Sequence, residues 1–196
     1  VPIKDDNHNI LFCALDIDDY NLPQEDLLNR IDESKIPFLT CLSKSGGYHL
    51  YLFFVEDTSA QLIQKPLRKI AEYLGFSNCE IFPKQEKRLK PKDGKIGQIG
   101  NWINLPYFSG NNSTRTCVQL EKHLELEEFL DHAEKSKISL NQLIKLSDEI
   151  QLDDNLVENT SFKKILISEG RNSYLFKYGC SLRKKGIDDV KISKKL

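Results

Sequence analysis

The chain has 196 residues, enough for one medium domain or for a domain with a small helical appendage. Its 39% hydrophobic and 29% charged residues are those of a soluble globular protein, with no apolar run of membrane-spanning length and no signal peptide, so a cytoplasmic location without membrane contact is expected. The net charge of −1 excludes a polycation that coats nucleic acid by charge alone.

In chain order, Ile10–Leu15 is a continuous apolar run that ends in Asp16-Ile17-Asp18-Asp19, a buried strand with acids at its carboxyl end. Gln24–Ile31 reads as a short helix and Phe38–Leu42 as a second strand. Lys44-Ser45-Gly46-Gly47 is a turn, and Tyr48–Phe54 completes a hairpin with the strand before it. Ser59–Leu74 reads as an amphipathic helix started by Ser59 and stopped by Gly75. Glu80–Phe82 is a short strand stopped by Pro83, and a charged loop follows over Lys84–Gly97. Trp102–Leu105 reads as a strand ended by Pro106, with Trp102 more often core than a stacking platform. After a turn at Gly110–Ser113, Thr116–Leu120 extends again.

Helical patterns then take over at Glu125–Lys135 and Ser139–Leu146. Leu152–Asn159 looks like a linker, and Phe162–Ile167, Asn172–Lys184 and Asp188–Ile192 form a helical unit with Gly186 as a cap. The reading is α+β, a largely antiparallel sheet followed by helices. It divides into a catalytic core over 1–122, a helical extension and linker over 123–158, and a partial helical module over 159–196. Val1 is not a natural initiator and Lys194-Lys195-Leu196 reads as a cut through a continuing element, so native sequence is expected beyond both ends.

Charge is unevenly spread. Six Lys/Arg and two acids lie between Lys84 and Lys95, six basic residues and two Asp between Arg183 and Lys195, while Glu121–Asp154 is acidic. Basic runs form solvated faces or phosphate contacts. Cys13, Cys41, Cys79, Cys117 and Cys180 form no C-x-x-C pair, and read as reduced buried thiols.

Three sites carry chemistry. Asp16 and Asp18, two apart on a strand, point the same way, and their mutual repulsion is relieved by a divalent cation or, more plainly, they cap a strand end. In Ser45-Gly46-Gly47-Tyr48-His49 the glycines permit a tight turn that lets backbone approach a phosphate, Ser45 offers a hydroxyl, and His49 shares a face with Tyr51 and Phe53; a plain hairpin with a hydrogen-bonded His fits as well. Glu80 supplies a third carboxylate, or is an ordinary exposed Glu.

In this order the three resemble the archaeo-eukaryotic primase superfamily. Its first motif is an apolar strand ending in D-x-D, here Leu15-Asp16-Ile17-Asp18. Its second, in the primase-polymerase branch, is similar to Ser45-Gly46-Gly47-Tyr48-His49-Leu50-Tyr51. Its third is a single acid on a later strand, here Glu80 where Asp is common. Glu80-Ile81-Phe82-Pro83-Lys84-Gln85 and Gly100-Asn101-Trp102-Ile103-Asn104-Leu105-Pro106 look like the primase-polymerases of mobile-element conflict systems and their CRISPR-associated relatives. The resemblance runs from about Leu11 to Thr116. Farther on, Glu169–Asn172 and Gly179–Gly186 resemble the helical module that follows such cores.

The resemblance implies an RRM-like sheet and a DNA primase/polymerase that makes and extends primers in the replication of a mobile element or phage. Asp16, Asp18 and Glu80 would be catalytic and hold two Mg²⁺ or Mn²⁺ ions. Ser45, Gly46, Gly47, His49, Lys84 and Asn101 would bind the nucleotide, with Tyr107 beside the sugar and base. Lys44, Arg88 and Arg115 would contact nucleic acid. The implied partners are a single-stranded DNA template, NTPs or dNTPs, and a helicase domain or protein. Two other readings stand beside it. One is a non-catalytic nucleic-acid-binding module of the same fold. The other is a haloacid-dehalogenase-like phosphatase, which also starts from D-x-D but needs a later acidic pair on a parallel sheet.

Overall fold

The computed structural model describes residues 1–4, 7–88, 100–119 and 122–150. The expected helices after 159, the linker before them, the second basic run, Asp153-Asp154, Cys180 and most of the Lys84–Gly97 loop lie outside the described residues. The described elements belong to one compact unit, Val1–Leu152. Among the described residues no helix is long and apolar enough to cross a membrane.

Strands β1 (Asn9–Ile17), β2 (Leu39–Leu42), β3 (Tyr48–Ser59) and β4 (Glu80–Phe82) form a sheet of order β2-β3-β1-β4, antiparallel at every pairing. The fold is thus α+β. An antiparallel sheet leaves no place for the phosphatase alternative, whose later acids must sit on a parallel one. The apolar run of β1 is explained by its position, since it pairs on both sides and Cys13, Ala14 and Leu15 are fully buried. Cys13, Leu15 and Ile17 share one face with Leu50 and Leu52, their opposites or near neighbours on β3. Helices α1 (Gln24–Ser34) and α2 (Gln64–Tyr73) add Leu27, Ile31, Leu67 and Ile70 to the same core cluster. Each such side chain contributes roughly 1.5–3 kcal/mol relative to exposure.

Three expected elements differ. Ser59 is the last residue of β3, paired with Asn9, and not a helix start. The reason is Pro66: α2 begins at Gln64, which places the proline in the first turn, where its missing N–H costs nothing. A helix from Ser59 would put Pro66 in the interior at a cost of about 3 kcal/mol. Second, Trp102–Leu105 forms no strand. The free edge of β2 is taken instead by the later segment, with Leu42 N–H donating to Thr116 at 3.0 Å and Val118 N–H to Thr40 at 2.8 Å. Third, Trp102 is 95% exposed rather than in the core. A short strand β5 (Phe108–Asn111) follows it.

Helices α3 (Leu126–Lys135) and α4 (Leu140–Glu149) start where the sequence signals them, each with a capping box, Glu125 with Glu128 and Ser139 with Gln142. Phe129, Ala133 and Leu143 are buried in the common core. Between the helices, Ile138 exchanges hydrogen bonds with Phe53 and Val55 at 3.0 and 3.1 Å, on the stretch of β3 that β2 is too short to reach.

Candidate active site

The residue pairing brings the expected groups into one row. Asp16 on β1 lies opposite His49 on β3 and opposite Glu80 on β4. Directly opposed residues of an antiparallel pair project to the same face with Cβ atoms about 4.5–5.5 Å apart. Asp18 follows two residues after Asp16, just past the end of β1, and is exposed. One face of the sheet therefore presents Glu80, Asp16 and His49 side by side, although they come from three separate motifs.

The glycine turn is pressed against this row. A Cβ on Gly47 would come 2.2 Å from the Ile17 carbonyl oxygen and 3.5 Å from the Asp18 Cα, so only glycine lets the turn lie over the peptide between the two aspartates. Gly46 takes φ = 99°, a conformation glycine adopts without strain. Gly47 N–H donates to Ser43 Oγ at 3.0 Å and Gly46 N–H to the Ser43 carbonyl at 3.4 Å. The two glycine N–H groups thus shape the turn from within. Ser45 is exposed, with its hydroxyl 3.1 Å from that of Ser43, and Lys44 beside it is exposed too.

His49 is 4% exposed and held at both ring nitrogens. Nε2 lies 3.3 Å from Asp16 Oδ1, and Nδ1 lies 3.2 Å from the Tyr51 hydroxyl. That hydroxyl donates its one proton to the Asn104 carbonyl at 2.7 Å. It can therefore only accept from His49, so Nδ1 carries a hydrogen; Nε2 faces the acceptor-only Asp16 carboxylate and bonds to it only when it carries a hydrogen as well. Burial pushes the Tyr51 phenol well above its ordinary pKa, so it stays a neutral donor. Tyr51, a member of the second motif with no role assigned from sequence, is the residue that orients the histidine.

The acids are each engaged. Asp18 accepts from the Tyr20 hydroxyl at 3.3 Å. Glu80 pairs with Lys84 at 2.6 Å, and the Lys84 ammonium also lies 5.1 Å from the centre of the Phe82 ring. Among the described residues no three His, Cys, Asp or Glu side chains converge into a cage for a metal ion. The donor chemistry nevertheless fits a hard divalent cation: the carboxylates of Asp16, Asp18 and Glu80 are oxygen ligands only, and Glu80 already holds a positive charge in the Lys84 ammonium.

Other expected residues divide. Lys44, Asn101 and Arg115 line one cavity of about 750 Å³ together with Phe12, Trp102 and Phe108. Arg88 is not with them: it donates to the Lys4 carbonyl, and its N–H to His8 Nδ1, both at 3.2 Å, by the start of β1 rather than the acidic end. Tyr107 is a core residue, 6% exposed, donating to the Leu124 carbonyl at 2.7 Å and accepting from Cys117 N–H at 2.9 Å. It packs on Phe129 with ring centres 5.0 Å apart and cannot border a sugar or base. Phe12 had a readable signal, since it lies four residues before Asp16 on the same strand face.

The antiparallel α+β fold is consistent with a domain of the primase-like nucleotidyltransferase class. Residues 2–146 match the archaeo-eukaryotic primase domain of the TOTE conflict system, and the chain belongs to that family. No curated protein matches the sequence.

Proposed function

We propose that this domain is a template-dependent DNA primase/polymerase that transfers nucleotidyl groups from NTPs or dNTPs to a 3′-hydroxyl. The observation that carries the reading is the row Glu80–Asp16–His49 with the Gly47 turn packed against the Ile17 peptide. It supports a site where anionic ligands for cations and neutral or cationic donors for phosphate adjoin.

In this reading Asp16, Asp18 and Glu80 hold two Mg²⁺ or Mn²⁺ ions. When bound, these supply charge neutralisation for the polyphosphate and lower the pKa of the attacking hydroxyl. The chain's own groups do the positioning. Ser45 reaches the triphosphate from the turn that Gly46 and Gly47 shape, and Lys44 beside it meets nucleic acid. His49 Nε2 turns to the same side, with its ring fixed by Tyr51 so that little ordering remains to be done on binding. Lys84, paired with Glu80 here, would be free to meet nucleotide phosphate where Glu80 held a cation. Asn101 and Arg115 bound the adjoining cavity. Primer synthesis and extension for a mobile element or phage, with a helicase as partner, is the setting this activity fits.

The test is incubation with a single-stranded DNA template, labelled nucleotides and Mn²⁺ or Mg²⁺, with and without a primer. Template-dependent product from the native chain, lost in Asp16→Ala, is expected. DNA binding without incorporation under any of these conditions would leave the non-catalytic module of the same fold as the reading.

A further inference from the structure

We propose that the cavity beside the glycine turn is a bed for single-stranded DNA, whose bases stack on Trp102 and Phe108. Trp102 is 95% exposed, Phe108 78% and Leu105 56%, and all three line the same cavity. Contiguous exposed apolar surface of this kind marks an interaction site. Its volume of about 750 Å³ is that of a ligand-binding cleft, which runs roughly 300–1,000 Å³.

Charge selects the occupant. The chain has 29 acids and 28 Lys/Arg, yet among the described lining residues the charged side chains are Lys44 and Arg115, with no Asp or Glu. Arg115 holds its guanidinium 5.3 Å from the centre of the Phe108 ring, so a flat face and a cation are offered together. Flat aromatic surfaces interleaved with cations are what a strand of bases and phosphates binds, with little dependence on sequence. The position fits the same occupant. Phe12 places one wall on the sheet face that carries Asp16, and Lys44 places another on the glycine turn, so a strand lying here runs up to the acids. That this strand is the template rests on the function proposed above; that the cavity binds a strand does not.

Trp102 is the only tryptophan in the chain, so its emission reports on this cavity alone. The intact chain is titrated with oligo(dT) in EDTA, without nucleotide, while binding is followed separately by the anisotropy of a labelled oligomer. Saturable quenching of Trp102 is expected. Trp102→Ala should weaken binding roughly 5- to 150-fold, the span of one base stack, and Trp102→Phe should retain most of it. Arg115→Ala should reduce the salt slope by about 0.7, one phosphate contact on a single strand. The Trp102 side chain is almost wholly in solvent, so its removal leaves the core intact.

The proposal is overturned if no oligomer binds, or if it binds with emission and Trp102→Ala affinity unchanged. Quenching by dTTP but not by the oligomer would make this a nucleotide pocket and overturn it as well. So would a change in oligomeric state of Trp102→Ala with DNA binding unaltered, which would mean contact between copies of the chain. A chain that quenches but makes no product removes the transferase reading and leaves the strand bed. Product without quenching does the reverse.

Discussion

The Tyr51 hydroxyl donates to the Asn104 carbonyl at 2.7 Å and lies 3.2 Å from His49 Nδ1, so one phenol links the histidine of the second motif to the loop that carries Trp102. Tyr51→Phe removes both bonds and leaves a part-buried carbonyl without its donor, a loss of about 1–3 kcal/mol. If His49 holds nucleotide, its freed ring should raise the nucleotide KM about tenfold while kcat stays within about threefold. Steady-state kinetics on the variant, beside His49→Ala, make the check. A fall in kcat with KM unchanged would mean that the histidine is not what Tyr51 steers.

Asp16 faces Glu80 across the sheet with no residue between them, and two carboxylates so placed repel unless a cation joins them. Asp16→Ala and Glu80→Gln should each lower incorporation by roughly 10²–10³-fold, the loss typical of removing one charge-stabilising group from an active site. Glu80 is at a strand end with its side chain half in solvent, so Glu80→Gln should leave the thermal midpoint within about 2 °C, as a surface change of ±0.5 kcal/mol would. Wild-type incorporation by Glu80→Gln would remove the third motif from the site.

The sheet was legible because its strands are short apolar runs between strong turn signals, and Gly46-Gly47 and Pro83 fix where β3 begins and β4 ends. What sequence spacing does not carry is which strand lies next to which. The opposition of Asp16 to both His49 and Glu80 follows from β1 sitting between β3 and β4, a fact of the whole sheet. Trp102 was misread for a related reason. Its size argues for burial, but the edge of β2 that would have paired its segment is occupied by Thr116–Val118, and the indole is left outside. Tyr107 erred the other way, since its polar hydroxyl is satisfied inside the core by the Leu124 carbonyl and the Cys117 amide.

Gly47 is the most constrained residue of the site. A methyl group there would sit 2.2 Å from the backbone oxygen of Ile17, and a backbone atom cannot turn aside as a side chain can. Gly47→Ala must push the turn away from the D-x-D peptide, with an overpacking cost of roughly 1–3 kcal/mol. Its thermal midpoint should drop by several degrees, and nucleotide KM should rise with it. Gly46→Ala meets only the Tyr20 ring, at 3.9 Å, and pays in backbone strain alone, so its fall should be smaller. Differential scanning calorimetry of both variants settles the order, and equal midpoints would mean that the turn gives way without cost.

Stability should fall on the alkaline side, and the buried Cys13 and Cys41 with the half-buried Cys79 give the sign. Burial pushes the Cys79 thiol up to about 12 and the Cys13 thiol higher still, while hydrogen bonding to Cys117 and then burial raise Cys41. An unfolded thiol ionises near 8.5. Above that pH the unfolded chain releases protons that the native chain retains, so stability is lost as pH rises. Each thiol held neutral contributes about 1.4 kcal/mol per pH unit to that loss, from about pH 8.5 toward its folded value. Tyr107, pushed up to about 12 by burial, adds to the slope above pH 10. Urea midpoints at pH 8, 9 and 10 in the presence of reductant should decline step by step, with a shallower decline in Cys13→Ala. A midpoint that holds constant through pH 10 would show that these thiols ionise as readily in the native chain as in the unfolded one.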